Sequence, residues 1–132
     1  MRSGSGGFVA SIGSLDIGLP PVWRMGSDAL KDRVVPQVLS GDKIAALAIT
    51  EPSGGSDVAN LKTRAVRDGD HYVVNGSKTF ITSGTRADYY TVAVRTGEPG
   101  FAGVSLLLIE RALELIGIIL KLVIQMKNYM MR

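Results

Sequence analysis

The sequence predicts an α+β fold: short N-terminal helices, a largely antiparallel β-sheet or barrel, and a C-terminal apolar helix. Residues 1–43 carry helix punctuation, with Ser27 as a cap and Gly41 as a terminator. Residues 44–110 break into five or six short β-prone runs joined by tight turns. Residues 111–132 are apolar almost all round a helix, with Arg111, Glu114, Lys121, Gln125 and Asn128 making one narrow polar stripe.

Composition narrows the class. At 132 residues, 45% hydrophobic and 20% charged, the chain holds one domain with a modest core. The formal charge of +3 is spread along the sequence, so no basic face for nucleic acid is expected. Zero cysteines exclude disulfides and thiolate metal sites, and fit a reducing, cytoplasmic setting. The single histidine, His71, excludes a multi-histidine metal centre, and no metal is expected. No run approaches the roughly 18 apolar residues of a membrane span.

Taken in order, Phe8, Val9, Ile12, Leu15, Ile17 and Leu19 suit a short helix loosened by Gly13 and Gly18 and ended by Pro20-Pro21. Trp23 and Arg24 read as a packing anchor between domains. A second helix starts at Ser27, with Asp28 at its positive end. Pro36 interrupts it, and residues 37–40 add one turn. Leu30, Val34, Val38 and Leu39 are its expected core positions.

Residues 44–50 read as a buried strand. Residues 63–67 and 71–74 flank Asp68-Gly69-Asp70, a hairpin turn, and Asn75-Gly76 reads as a second. Strands are expected at 77–82, 89–95 and 104–109, with a loop at 97–103. Lys62, Arg64 and Arg67 form a solvated strand face, and His71 is solvated beside its turn.

The stretch that organises the rest runs from Ile44 to Asp57. A strand is closed by Thr50, stopped by Pro52 and followed by Gly54-Gly55-Ser56-Asp57. Glycines there free backbone N–H groups to converge on an anion, although most such segments are plain turns. Glu51 and Asp57 could suggest paired acids, but their places suggest hydrogen bonds that hold the loop.

Two stretches together, Ala48-Ile-Thr-Glu-Pro-Ser-Gly-Gly-Ser-Asp57 and Val74-Asn-Gly-Ser-Lys-Thr-Phe-Ile-Thr82, resemble the signatures of the acyl-CoA dehydrogenases. The likeness runs from about Leu19 to Glu110 and stops there. It implies a remnant of the family's N-terminal helical domain over 1–43 and a β-barrel-like middle domain over 44–110. That barrel would be incomplete, followed by an apolar tail at 111–132 that does not match the family. It also implies an FAD-dependent oxidoreductase acting on the Cα–Cβ bond of acyl-CoA, with electrons passing to an electron-transfer flavoprotein.

The resemblance places Leu47, Ile49 and Thr50 beside the flavin ring and Gly55 and Ser56 at its phosphate side, Ser56 also near the acyl-CoA. It places Phe80, Ile81 and Thr82 over the other end, with Thr82 donating towards the flavin. Phe80 stands where relatives commonly have tryptophan. On composition alone, Ile49, Phe80 and Ile81 would be core and the threonines strand-formers. No catalytic residue is assigned, because Glu98, Glu110 and Glu114 match no motif of the family's α-proton base. The chain therefore resembles a fragment expected to be inactive alone. The alternative is a non-catalytic β-domain that becomes a homo-oligomer through its tail.

Overall fold

The computed structural model describes residues 13, 15–111, 120–127 and 130–131. Among the described residues two complete helices precede a mixed, open sheet, and most of the short helix expected from Phe8 onwards lies outside them. Helix α1 spans Leu19–Met25 and α2 spans Asp28–Leu39. The strands are β1 (Ala45–Ala48), β2 (Arg64–Asp68), β3 (His71–Lys78), β4 (Tyr89–Arg95), β5 (Val104–Glu110), β6 (Leu120–Lys127) and β7 (Met130–Met131). Their order is β6-β3-β2-β4-β5-β7, with β1 also on β4.

Pro20-Pro21 opens a helix instead of ending one. The first helical positions have no N–H partner to lose, and proline's fixed φ suits them. Ser27 caps α2 as expected, accepting from the Leu30 N–H at 3.3 Å. The helix then runs through Pro36 without a break. Gln37 Nε2 donates to the Arg33 carbonyl at 2.7 Å in this turn, bracing the backbone around the proline. Val35 is buried there, whereas Leu39, expected in the core, is 68% exposed.

The sheet is mixed because β4 serves two parallel neighbours on one edge. β1 runs parallel to its first half, Ala45↔Tyr89 to Ala48↔Val92, and β2 meets its end at Arg64↔Arg95. On the other edge β5 pairs antiparallel along the whole strand. β4 is buried on both faces, which explains its nearly unbroken apolar run. Tyr90, Val92 and Val94 join Ala46, Ala48, Val74, Leu107 and Ile109 on the inner face. Tyr89 joins Ala45, Leu108 and the helical residues Leu19, Val22, Leu30 and Val34 on the other. Gly18 lets α1 approach this close: its N–H donates to the Ala45 carbonyl at 3.0 Å, and a Cβ would lie 2.3 Å from the Ala46 oxygen.

Asn75-Gly76 is not a turn. β3 runs straight through it, and Gly76 is required by packing, since a Cβ there would lie 2.6 Å from Thr63 Cα. The expected strand at 77–82 therefore ends at Lys78. Gly69-Asp70 is the true β2–β3 turn, with Asp68 paired to His71.

The C-terminal helix expected for 111–132 falls partly on residues 112–119, 128, 129 and 132, which lie outside the described residues. Beyond Arg111, where the tail is described it is strand. β6 pairs antiparallel with all of β3, His71↔Lys127 to Lys78↔Leu120, and β7 pairs with β5. The free backbone groups along β3 accept a further strand, a competitor that helical periodicity cannot reveal. No helix among the described residues is long and apolar enough to cross a membrane.

Candidate functional site

The site forms where the chain leaves β1 and where it leaves β3. After Ala48, Ile49 and Thr50 are half-buried. Glu51 and Gly54 then exchange backbone hydrogen bonds, each 3.0 Å, closing a turn over Pro52-Ser53. Gly55 folds back onto Thr50, where a Cβ would lie 3.0 Å from Cγ2. Asp57 accepts from Asn60 Nδ2 at 2.5 Å, steadying the 3-10 turn Val58–Asn60.

The second segment reaches this corner through the backbone. The Thr79 N–H donates to the Thr50 carbonyl at 2.9 Å. Phe80 follows with φ +55° and is 88% exposed. A positive φ in a bulky residue is strained, and such strain persists only where neighbours over-determine the backbone. Here those neighbours are Lys78 and Thr79 before it and Ile81 after it. Ile81 packs against the inner core, and the following turn is anchored by the Tyr90 hydroxyl donating to the Gly84 carbonyl at 2.9 Å.

Thr50, Gly55 and Phe80 are thus neighbours, with exposed Ser56 beside Gly55 and exposed Thr82 two residues after Phe80. Leu47 is half-buried in β1 opposite Thr91, and by strand alternation it shares the helix-facing side of Ala45. Ile81 packs against the inner core, as its apolar character alone implies. The Thr50, Ser56 and Thr82 hydroxyls have no partner among the described residues.

Under the corner lies a buried ion pair. Lys78 Nζ donates to Glu51 Oε1 at 2.9 Å and to the Ile49 carbonyl at 2.8 Å. Glu51 also accepts from the Lys62 N–H at 2.6 Å and the Thr63 N–H at 2.8 Å. Burial pushes the Glu51 carboxyl up, but hydrogen bonds from Thr63, Lys78 and Lys62 outweigh it and bring it down to about 2. Burial pushes the Lys78 ammonium below its ordinary value, with Glu51 opposing that shift. The loop-holding role read for Glu51 is what the structure shows. Lys78 was missed. Its signal was available, since Tyr72, Val74, Gly76 and Lys78 share one face by period 2, and an inward lysine needs an acid. Among the described residues no group of three His, Asp or Glu could hold a metal.

The described residues thus form an open mixed sheet whose glycine corner is joined to an exposed-aromatic turn by the Thr79–Thr50 hydrogen bond. The family model described as acyl-CoA dehydrogenase, middle domain, matches residues 46–121, past Glu110 and into the tail. The chain is 46% identical over 111 residues to the acyl-CoA dehydrogenase apdG of Emericella nidulans, covering 82% of this chain and 25% of that protein. A structure described as a probable acyl CoA dehydrogenase from Mycobacterium abscessus superposes with TM-score 0.85 at 46% identity, covering 98% of this chain and 39% of the other. A glutaryl-CoA dehydrogenase from Mycobacterium smegmatis in complex with FADH2 superposes with TM-score 0.63 at 37% identity, covering 68% of this chain and 22% of the other. The chain belongs to the acyl-CoA dehydrogenase family. It spans about a quarter of the length of the curated relatives it matches.

Proposed function

We propose that this chain supplies the flavin-facing corner of an FAD-dependent acyl-CoA dehydrogenase. The observation that carries the reading is the hydrogen bond from Thr79 to Thr50. It sets the glycine corner beside the Phe80–Ile81–Thr82 turn, the two segments with free donors and exposed aromatic area.

The residues present fit a flavin. Gly55 leaves backbone N–H groups uncovered beside Ser56, suited to a phosphate oxygen. Thr50 and Thr82 carry unpaired hydroxyls for the polar edge of the ring, and Phe80 offers an aromatic face. Ile49 would line the ring from the end of β1, with Leu47 behind it. Ser56 would also meet the acyl-CoA. When bound, FAD supplies the acceptor for the hydride leaving Cβ of the acyl-CoA.

The α-proton needs a carboxylate base, and Glu51 is not one. It is buried, accepts three hydrogen bonds and is held near a pKa of about 2. Glu110 is paired with Arg33. We therefore expect the chain alone to bind FAD and to turn over no acyl-CoA. In the whole enzyme the electrons would pass to an electron-transfer flavoprotein.

Titrating the 132-residue chain with FAD tests the reading. Quenched flavin fluorescence and a shifted visible band support it. Unchanged flavin emission at saturating protein, with a large oligomer on sizing, returns the chain to the self-associating alternative.

A further inference from the structure

Glu51 and Lys78 have side chains 3% and 0% exposed. Taking both charges out of water costs several kcal/mol per ion, and an apolar pair of similar volume often serves stability as well or better. Stability alone is therefore a weak account of the pair. Its geometry suggests another.

Three backbone groups converge on these two side chains. Lys78 Nζ holds the Ile49 carbonyl, where β1 ends. Glu51, itself part of the corner, holds the Lys62 and Thr63 N–H groups at the entry to β2. Lys78 closes the frame as the last residue of β3. The Thr79–Thr50 hydrogen bond lies one residue along from each partner. The strained Phe80 backbone starts two residues after the lysine, so the frame also fixes where that strain is held.

We propose that Glu51 and Lys78 are positioning residues for the flavin: the buried pair sets the spacing and register between the Thr50–Gly55 corner and the Phe80–Thr82 turn. This rests on the flavin reading above. An apolar contact is non-directional and would let the two segments slide. A lysine with two fixed acceptors, and a carboxylate with three fixed donors, allow one arrangement.

The experiment uses the full chain as wild type, Lys78→Met, Glu51→Gln and a remote control, Leu30→Ala. FAD affinity is read by fluorescence titration, the visible band shape at saturating FAD, and folding by circular dichroism. Lys78→Met and Glu51→Gln should bind FAD about tenfold or more weakly, the scale on which outer partners orient a ligand-holding group. Their bound flavin should show an altered band even when every molecule is loaded. Leu30→Ala should lower the melting temperature yet keep the wild-type band.

Folded Lys78→Met and Glu51→Gln chains with wild-type affinity and band would overturn the proposal. Should neither fold, amide exchange in the wild type decides: FAD must slow exchange at Lys62, Thr63 and Thr79, and no slowing there refutes it. A wild type that binds no FAD overturns the flavin reading itself, visible in the first titration and separate from any result on the variants.

Discussion

The two helices and the glycine corner are held to the same sheet by opposite means. On the helix side, Leu30, Val34, Val35 and Val38 of α2 and Val22 of α1 pack on Ala45, Tyr89 and Leu108, all buried. Polar links there include hydrogen bonds between neutral groups, such as the buried one from the Thr91 hydroxyl to the Gly18 carbonyl at 2.6 Å and that from the Tyr89 hydroxyl to Gln37 Oε1 at 3.2 Å. At the corner there is little apolar area, and Phe80 projects into solvent. Position is set instead by Glu51 and Lys78 under the backbone. Apolar contact supplies stability without direction, whereas a hydrogen-bonded charge pair fixes geometry and is intolerant of losing one member. A region that only has to stay folded can use the first. One that must present atoms to a ligand is better served by the second.

The largest effect should come from halving the pair. Glu51→Ala leaves a buried ammonium without its counter-charge and the Lys62 and Thr63 N–H groups without their acceptor, and should cost about 4 kcal/mol in urea unfolding. Next, Leu30→Ala should cost about 3 kcal/mol by opening a cavity between α2 and the sheet. If Leu30→Ala proved costlier than Glu51→Ala, the contrast between the regions would fail.

Acid sharpens the same contrast. Glu51 has a folded pKa of about 2 against an ordinary 4.5, so between these values the unfolded chain binds the proton more readily. Its contribution is complete above about pH 4.5 and is lost as pH falls through about 2. Wild type should lose stability across that window more steeply than Glu51→Gln, read from urea midpoints at stepped pH.

Smaller effects follow. Ser27→Ala removes the α2 cap and should cost about 1 kcal/mol with no change in FAD affinity. Phe80→Ala should move stability by less than about 0.5 kcal/mol, because the ring is exposed, while weakening FAD binding measurably. A large loss of stability with unchanged binding would make Phe80 a core residue and dissolve the distinction.

Much of this was legible in local chemistry. The Ser27 cap, the Gly69 turn, the two strands from Tyr89 and Val104, and the corner with its glycines all follow from residue type and short-range spacing. Asn75-Gly76 misled because the same dipeptide that favours a tight turn also suits a strand pressed against Thr63. Leu39 misled because Val35, one turn earlier, took the place against the sheet. The tail misled because its apolar run satisfies a helix by itself, and a strand only when a neighbouring edge is present.

Sequence alone determined the family, the order of helices before strands, and the two segments of the proposed site, since each is written in contiguous residues. Only the tertiary structure decided that β1 lies parallel to β4, that the sheet stays open, and that Lys78 reaches Glu51 from 27 residues away. Those depend on which surfaces meet once water is excluded, and a buried charge selects its partner by position in space, not along the chain.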